Sequence, residues 1–115
     1  MGKRLCVNPS EKWDYEPPGG GTFTVGVIPK EVMVSVLDLM TKGNIIEAQW
    51  MACKYGVKGH AGLSYSDGKD VEFKIATDDR GRTVVSDETL EVYRVSQVCD
   101  PVAAECVSKG KGPKA

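Results

Sequence analysis

The sequence carries one histidine and no Cys-x-x-Cys pair, and these two shortages exclude much chemistry. Structural zinc sites draw their ligands from two closely spaced pairs, because one turn or knuckle holds each pair. Cys6, Cys53, Cys99 and Cys106 are scattered, and His60 stands far from each of them in sequence. The cysteines therefore read as free, buried thiols, with no metal and no cofactor expected. As a catalytic base His60 lacks a local serine, cysteine or carboxylate partner, so it reads as a solvated loop residue. No set of nucleophile, base and oxyanion donors can be assembled from the remaining residues, and the chain reads as non-enzymatic.

Long apolar runs are also missing. No stretch approaches the ~20 residues needed to span a bilayer. Met1–Ser10 contains Lys3 and Arg4 but no apolar run after them, so no secretory leader is expected. Met1-Gly2 opens like a myristoylation signal, yet Cys6 stands where that motif needs serine or threonine. The expectation is synthesis in a cytoplasm that keeps thiols reduced. Charge of one sign is absent too: 15 basic and 16 acidic residues leave a net charge of −1. Nothing then steers the chain toward nucleic acid or anionic lipid, and neither is expected as a partner.

What is present fits one small globular core. At 115 residues, with 41% hydrophobic and 27% charged residues, a second core would leave each half too small to bury enough surface. Residues 1–21 mix charge, prolines and the triple glycine Gly19–Gly21, and read as an N-terminal arm with a flexible joint. Trp13 and Tyr15 alternate with charged residues there, the period of a short strand with both aromatics on one face. They either fold back onto the domain's own sheet or dock on a neighbouring subunit. Residues 110–115 form a basic tail, where Lys111 and Lys114 join Lys109 as candidate partner contacts beside Trp13 and Tyr15.

Between the arms, residues 22–109 read as a single α+β domain. Its small antiparallel sheet is expected from strands near 22–28, 63–65 and 71–76, with 12–16 and 83–85 as further candidates, packed with three to four short helices. Thr22–Ile28 is β-branched and aromatic, and Pro29 ends it. Lys30–Lys42 then has apolar residues at helical spacing, with Gly43 as its stop. A second helix is expected from an Asn44 cap, with Glu47 completing a capping box, to about Tyr55. Ile46, Trp50, Cys53 and Val57 lie along one side of it, which makes this helix the expected spine and Trp50→Ala a loss of ~3–5 kcal/mol if the ring is buried.

Asp67-Gly68 between Leu63–Tyr65 and Val71–Ile75 is a hairpin signal, because both residues tolerate positive φ. The acidic group Asp67, Asp70 and Glu72 lacks the ligand spacing of a calcium loop and reads as a solvated turn. Asp78–Arg82 reads as a second polar turn, free to move. Ser86-Asp87-Glu88 opens a helix to about Gln97, with Leu90, Tyr93 and Val98 inward. Asp100-Pro101 opens a last helix that ends near Lys109.

Three stretches, Tyr55–Gly59, Asp67–Lys74 and Val84–Leu90, together with the opening Asn8–Tyr15, resemble in order and spacing small proteins encoded among the morphogenesis genes of tailed phages. The resemblance implies a part in building the virion, as a head, connector or tail component or an assembly helper. Its partners would be other virion proteins and copies of itself, and it implies no catalytic residue. Two expectations follow. One is a non-enzymatic structural or assembly component of a tailed-phage particle, located in the virion. The other is a soluble phage or mobile-element module that modulates a host protein through the acidic hairpin Asp67–Glu72.

Overall fold

A computed structural model describes residues 12–109. The chain runs β1 (Lys12–Tyr15), β2 (Thr22–Gly26), α1 (Lys30–Thr41), α2 (Ile45–Gly56), β3 (Val57–Ala61), β4 (Ile75–Thr77), β5 (Thr83–Val85), α3 (Asp87–Val95) and α4 (Cys99–Lys109). The α+β class expected from sequence holds, with four helices and two antiparallel sheets in place of one.

The larger sheet has the order β1-β2-β3. β2 alternates, and Phe23 and Val25 point inward with no exposed surface. β1 pairs along it from Lys12↔Gly26 to Tyr15↔Phe23. The strand candidate at 12–16 is thus the edge strand β1, and Gly19–Gly21, read from sequence as a flexible joint, lies in its hairpin connection to β2. The triple glycine makes that reversal with all three φ positive, at 104°, 107° and 80°, a region costly for other residues.

β3 was missing from the sequence expectation, which ended α2 and left a glycine-loosened loop. The backbone instead passes from Gly56 straight into Val57–Ala61, which pairs with β2 from Thr22↔Ala61 to Val25↔Val57. A register shift beside Val25 absorbs one residue, as a bulge does.

The hairpin at Asp67-Gly68 forms, but its arms do not become strands. Only the bridge Ser64↔Asp70 survives, closed by Tyr65 N donating to Lys69 O at 2.8 Å and Val71 N to Leu63 O at 2.9 Å. Past that point other partners occupy the backbone. The Thr89 hydroxyl accepts from Lys74 N and donates to Glu72 O, and Ser86 N donates to Lys74 O. Each backbone group must pair once, so the chain turns toward α3, and Ile75–Thr77 pairs with Thr83–Val85 as a second small sheet.

Helix ends differ in how closely they follow sequence signals. Ser86 caps α3 as expected, its Oγ accepting from Thr89 N. Asn44 makes no side-chain cap bond. The preceding turn explains this: Asn44 N donates to Leu39 O and Gly43 N to Met40 O, with Gly43 at φ 82°. That is a Schellman closure of α1, and it fixes Asn44 before α2 begins. The same closure ends α3, where Val98 N donates to Tyr93 O and Gln97 N to Arg94 O. There Gln97, at φ 64°, occupies the glycine position. Gln97→Gly is therefore expected to raise stability by about 1 kcal/mol, read as a higher urea midpoint at unchanged m-value.

The core gathers Phe23, Val25, Val36, Ala52, Cys53, Val85, Leu90, Tyr93 and Val102 between the larger sheet and the helices. α2 is its spine, packed against α1 on one flank and α4 on the other, with β5 and α3 also in contact. Ala48 and Ala52 are buried in it, and small side chains let neighbouring helices approach closely.

Candidate functional site

Two features stand out above the fold: an apolar surface around α2, and polar clusters that hold the strand connections in place. The surface begins at the tip of the α1–α2 hairpin. Leu37 and Met40 in the last turn of α1, and Ile45 and Ile46 in the first turn of α2, are 39%, 42%, 44% and 69% exposed. They make up four of the eight exposed large hydrophobic residues among those described, so the exposure is concentrated rather than scattered.

Grooves run from this tip along both flanks of α2. One, of about 450 Å³, lies between α2 and α4 and is lined by Met40, Ile45, Ala48, Ala104 and Val107 among others. The second, of about 440 Å³, is lined by Leu39, Ile46, Trp50, Met51 and Tyr55. Trp50, expected as the buried centre of the spine, is instead half-buried in the wall of this second groove, and Ile46 faces out. The buried residues of α2 are Ala48, Ala52, Cys53 and Gly56. The large cost argued for a buried Trp50 does not carry over. Its sequence signal was real but ambiguous, because a helix apolar on more than one face can serve a core and a contact surface equally.

The candidate contacts fall in different places. Trp13 and Tyr15 lie half-buried on one face of β1 and pack against the core of their own domain. The Trp13 indole N–H donates to Glu105 Oε2 on α4 at 3.2 Å. Lys109 is the last residue of α4. Lys111 and Lys114 lie outside the described residues.

His60 corrects the expectation of a solvated loop residue. It sits half-buried in β3, its Nε2 2.7 Å from Val71 O and its Nδ1 2.5 Å from the Tyr93 hydroxyl. A carbonyl only accepts, so Nε2 carries the hydrogen of the neutral ring and Nδ1 accepts from Tyr93. Phe23, Phe73 and Tyr93 surround the ring edge-on, with centroids 6.2, 5.4 and 5.6 Å away. The histidine thus ties β3, the chain after the hairpin and α3 together. No residue type nearby in sequence signals this, because its partners lie 11 and 33 positions away.

The turn at Asp78–Arg82 is likewise built, not mobile. Asp78 accepts from Arg80 N and Arg82 N, from the Tyr55 hydroxyl at 3.0 Å and from Arg82 Nε at 3.0 Å. The Arg82 guanidinium also lies over the Tyr55 ring and pairs with Glu31 at the start of α1. Burial alone would raise the Asp78 pKa, but these donors outweigh it and hold the carboxyl down from 3.8 to about 2. A carboxylate depressed on folding stabilises above its unfolded value and loses that contribution as pH falls through the folded one. Stability is therefore expected to drop between about pH 4 and about pH 2. Asp78→Asn should flatten that drop, as read from thermal midpoints across the range; an unchanged slope would detach the turn from acid sensitivity.

The remaining acidic candidates, Asp67, Asp70 and Glu72, are exposed. Among the described residues no group of three or more His, Cys, Asp or Glu side chains is arranged to hold a metal ion, and no helix is long and apolar enough to cross a membrane. Comparison of the chain with protein-family models, curated proteins and solved structures finds no match.

Proposed function

We propose that the chain is a non-enzymatic structural or assembly component of a tailed-phage particle, working through contacts with copies of itself and neighbouring virion proteins. The observation that carries this reading is the apolar tip of the α1–α2 hairpin, continuous with the grooves beside α2. Methionine, isoleucine and leucine held in water at this density are disfavoured on a monomer surface, and a subunit contact covers them. The motif order shared with phage morphogenesis proteins supports the particle as the setting.

Ile46 offers the cleanest test, because it is 69% exposed and supports no core contact of consequence. Ile46→Lys should leave the unfolding midpoint within ~0.5 kcal/mol of the parent. It should also abolish the concentration-dependent self-association that the proposal expects of the parent protein in sedimentation velocity, and weaken co-sedimentation with particles. A parent protein that is monomeric at every concentration and never pellets with particles overturns the proposal. The exposed carboxylates of the 67–72 hairpin favour a second reading, a module that grips a basic host surface. Co-sedimentation with particles separates the two, since a free inhibitor stays in the supernatant.

A further inference from the structure

One cluster of reactive side chains among the described residues has no part in the proposed assembly role. Cys53 on α2 and Cys99 at the start of α4 place their Sγ atoms 3.6 Å apart, across 46 positions of sequence. Both are free thiols, Cys53 fully buried and Cys99 6% exposed. We propose that Cys53 and Cys99 form a peroxide-responsive disulfide that locks α2 to the first turn of α4.

The two sulfurs are already in contact. A disulfide needs them at ~2.05 Å, so they must close by ~1.5 Å. The two backbones are already held together alongside, where Gln49 Nε2, one turn before Cys53, donates to Asp100 Oδ1 at 2.8 Å. The roles divide by position. Cys99 is the first residue of α4, where free backbone N–H groups favour a thiolate. The thiol contact from Cys53 pulls its pKa down, against the opposing effect of burial. Contacts with Cys106 and Cys99, together with burial, push the Cys53 thiol up. Cys99 is therefore the attacking sulfur and Cys53 the resolving one. Cys106 is fully buried and lies against Gly56, whereas Cys99 is the one of the three described thiols with any exposed surface.

The chemistry balances with a peroxide as oxidant. The Cys99 thiolate attacks one peroxide oxygen, the O–O bond breaks, and the departing hydroxide takes up the thiol proton as water. The Cys53 sulfur then attacks the sulfenic sulfur of Cys99 and the S–O bond breaks. The hydroxide released leaves with the Cys53 proton as a second water. The two sulfurs lose two electrons in total, and the peroxide gains them. A thiol reductant reverses the step by exchange.

The test uses the full chain carrying Cys6→Ser, which leaves three thiols. Treatment with hydrogen peroxide should remove two of them from titration and yield a Cys53–Cys99 cross-linked peptide on non-reducing mapping. Closing a loop of this length should raise Tm by ~10 °C, reversed by dithiothreitol. The Cys106→Ser variant should keep the cross-link, and Cys99→Ser should lose it. Should Cys99→Ser fail to fold, the peptide map of the three-thiol protein decides alone. Thiols that all stay titratable, oxidation that halts at a sulfinic acid without a cross-link, or a bridge that includes Cys106 overturns the proposal.

Discussion

Tyr93→Ala is expected to destabilise the domain by ~3–5 kcal/mol, the range for deleting a fully buried aromatic ring, and in a marginally stable domain to leave a large unfolded fraction. Tyr93 is the largest of the fully buried side chains. Its ring meets Phe23 edge-on at 5.2 Å, so α3 and β2 share one aromatic contact, and its hydroxyl serves His60 on β3. Burial pushes the phenol pKa well up, so the group stays a neutral donor at any working pH. The conservative variant divides the effect. Tyr93→Phe keeps the ring and its packing but leaves His60 Nδ1 without its donor, which costs about 1 kcal/mol for a half-buried acceptor. Equilibrium urea unfolding of both variants checks the ladder. A Phe variant as unstable as the Ala variant would show that the hydroxyl, and not the ring, holds α3 to the sheet.

The pair Tyr93 and His60 also shows which part of this fold the sequence made legible. Periodicity placed Leu90 and Tyr93 inward, and both have no exposed surface. The strand at Thr22–Gly26, the Ser86 cap and the four helices were readable for the same reason: each is written in spacing and capping residues within one element. What was not readable is decided by partners far along the chain. Val57–Ala61 carries the loop signal of Gly59 within it and of Gly56 and Gly62 beside it, and becomes a strand because β2 offers it an open edge. Val71–Lys74 reads as a strand and is diverted because Thr89 and Ser86 claim its backbone. The candidate surface follows the same logic. The apolar residues of Ile45–Trp50 were visible, but which of them face water depends on where α1 and α4 settle against α2. Ala48 and Ala52, not the larger Ile46 and Trp50, take the buried positions.

Gly56→Ala is expected to cost ~2–3 kcal/mol although a helix ordinarily gains from this change. Alanine is favoured over glycine in a helix by about 1 kcal/mol, and Gly56, unlike Gly43, does not have a positive φ that would forbid a side chain. Space decides the sign. A Cβ at Gly56 would stand 2.7 Å from Cys106 Sγ, 2.9 Å from Cys106 Cβ and 3.4 Å from Ile28 Cδ1. Rotating the thiol clears the first contact. The second is to an atom fixed on the α4 backbone, so only a separation of α2 from α4 relieves it, and overpacking of that kind typically costs 1–3 kcal/mol and occasionally more. The double variant Gly56→Ala with Cys106→Gly removes both clashing atoms. The two changes should then couple favourably by at least ~1 kcal/mol in a double-mutant cycle, against the near-additivity of independent sites. Additive losses would place the cost elsewhere, in the direct passage from α2 into β3 that Gly56 makes. A favourable coupling assigns it to the helix contact that sets how closely α4, and with it Cys99, lies against the spine.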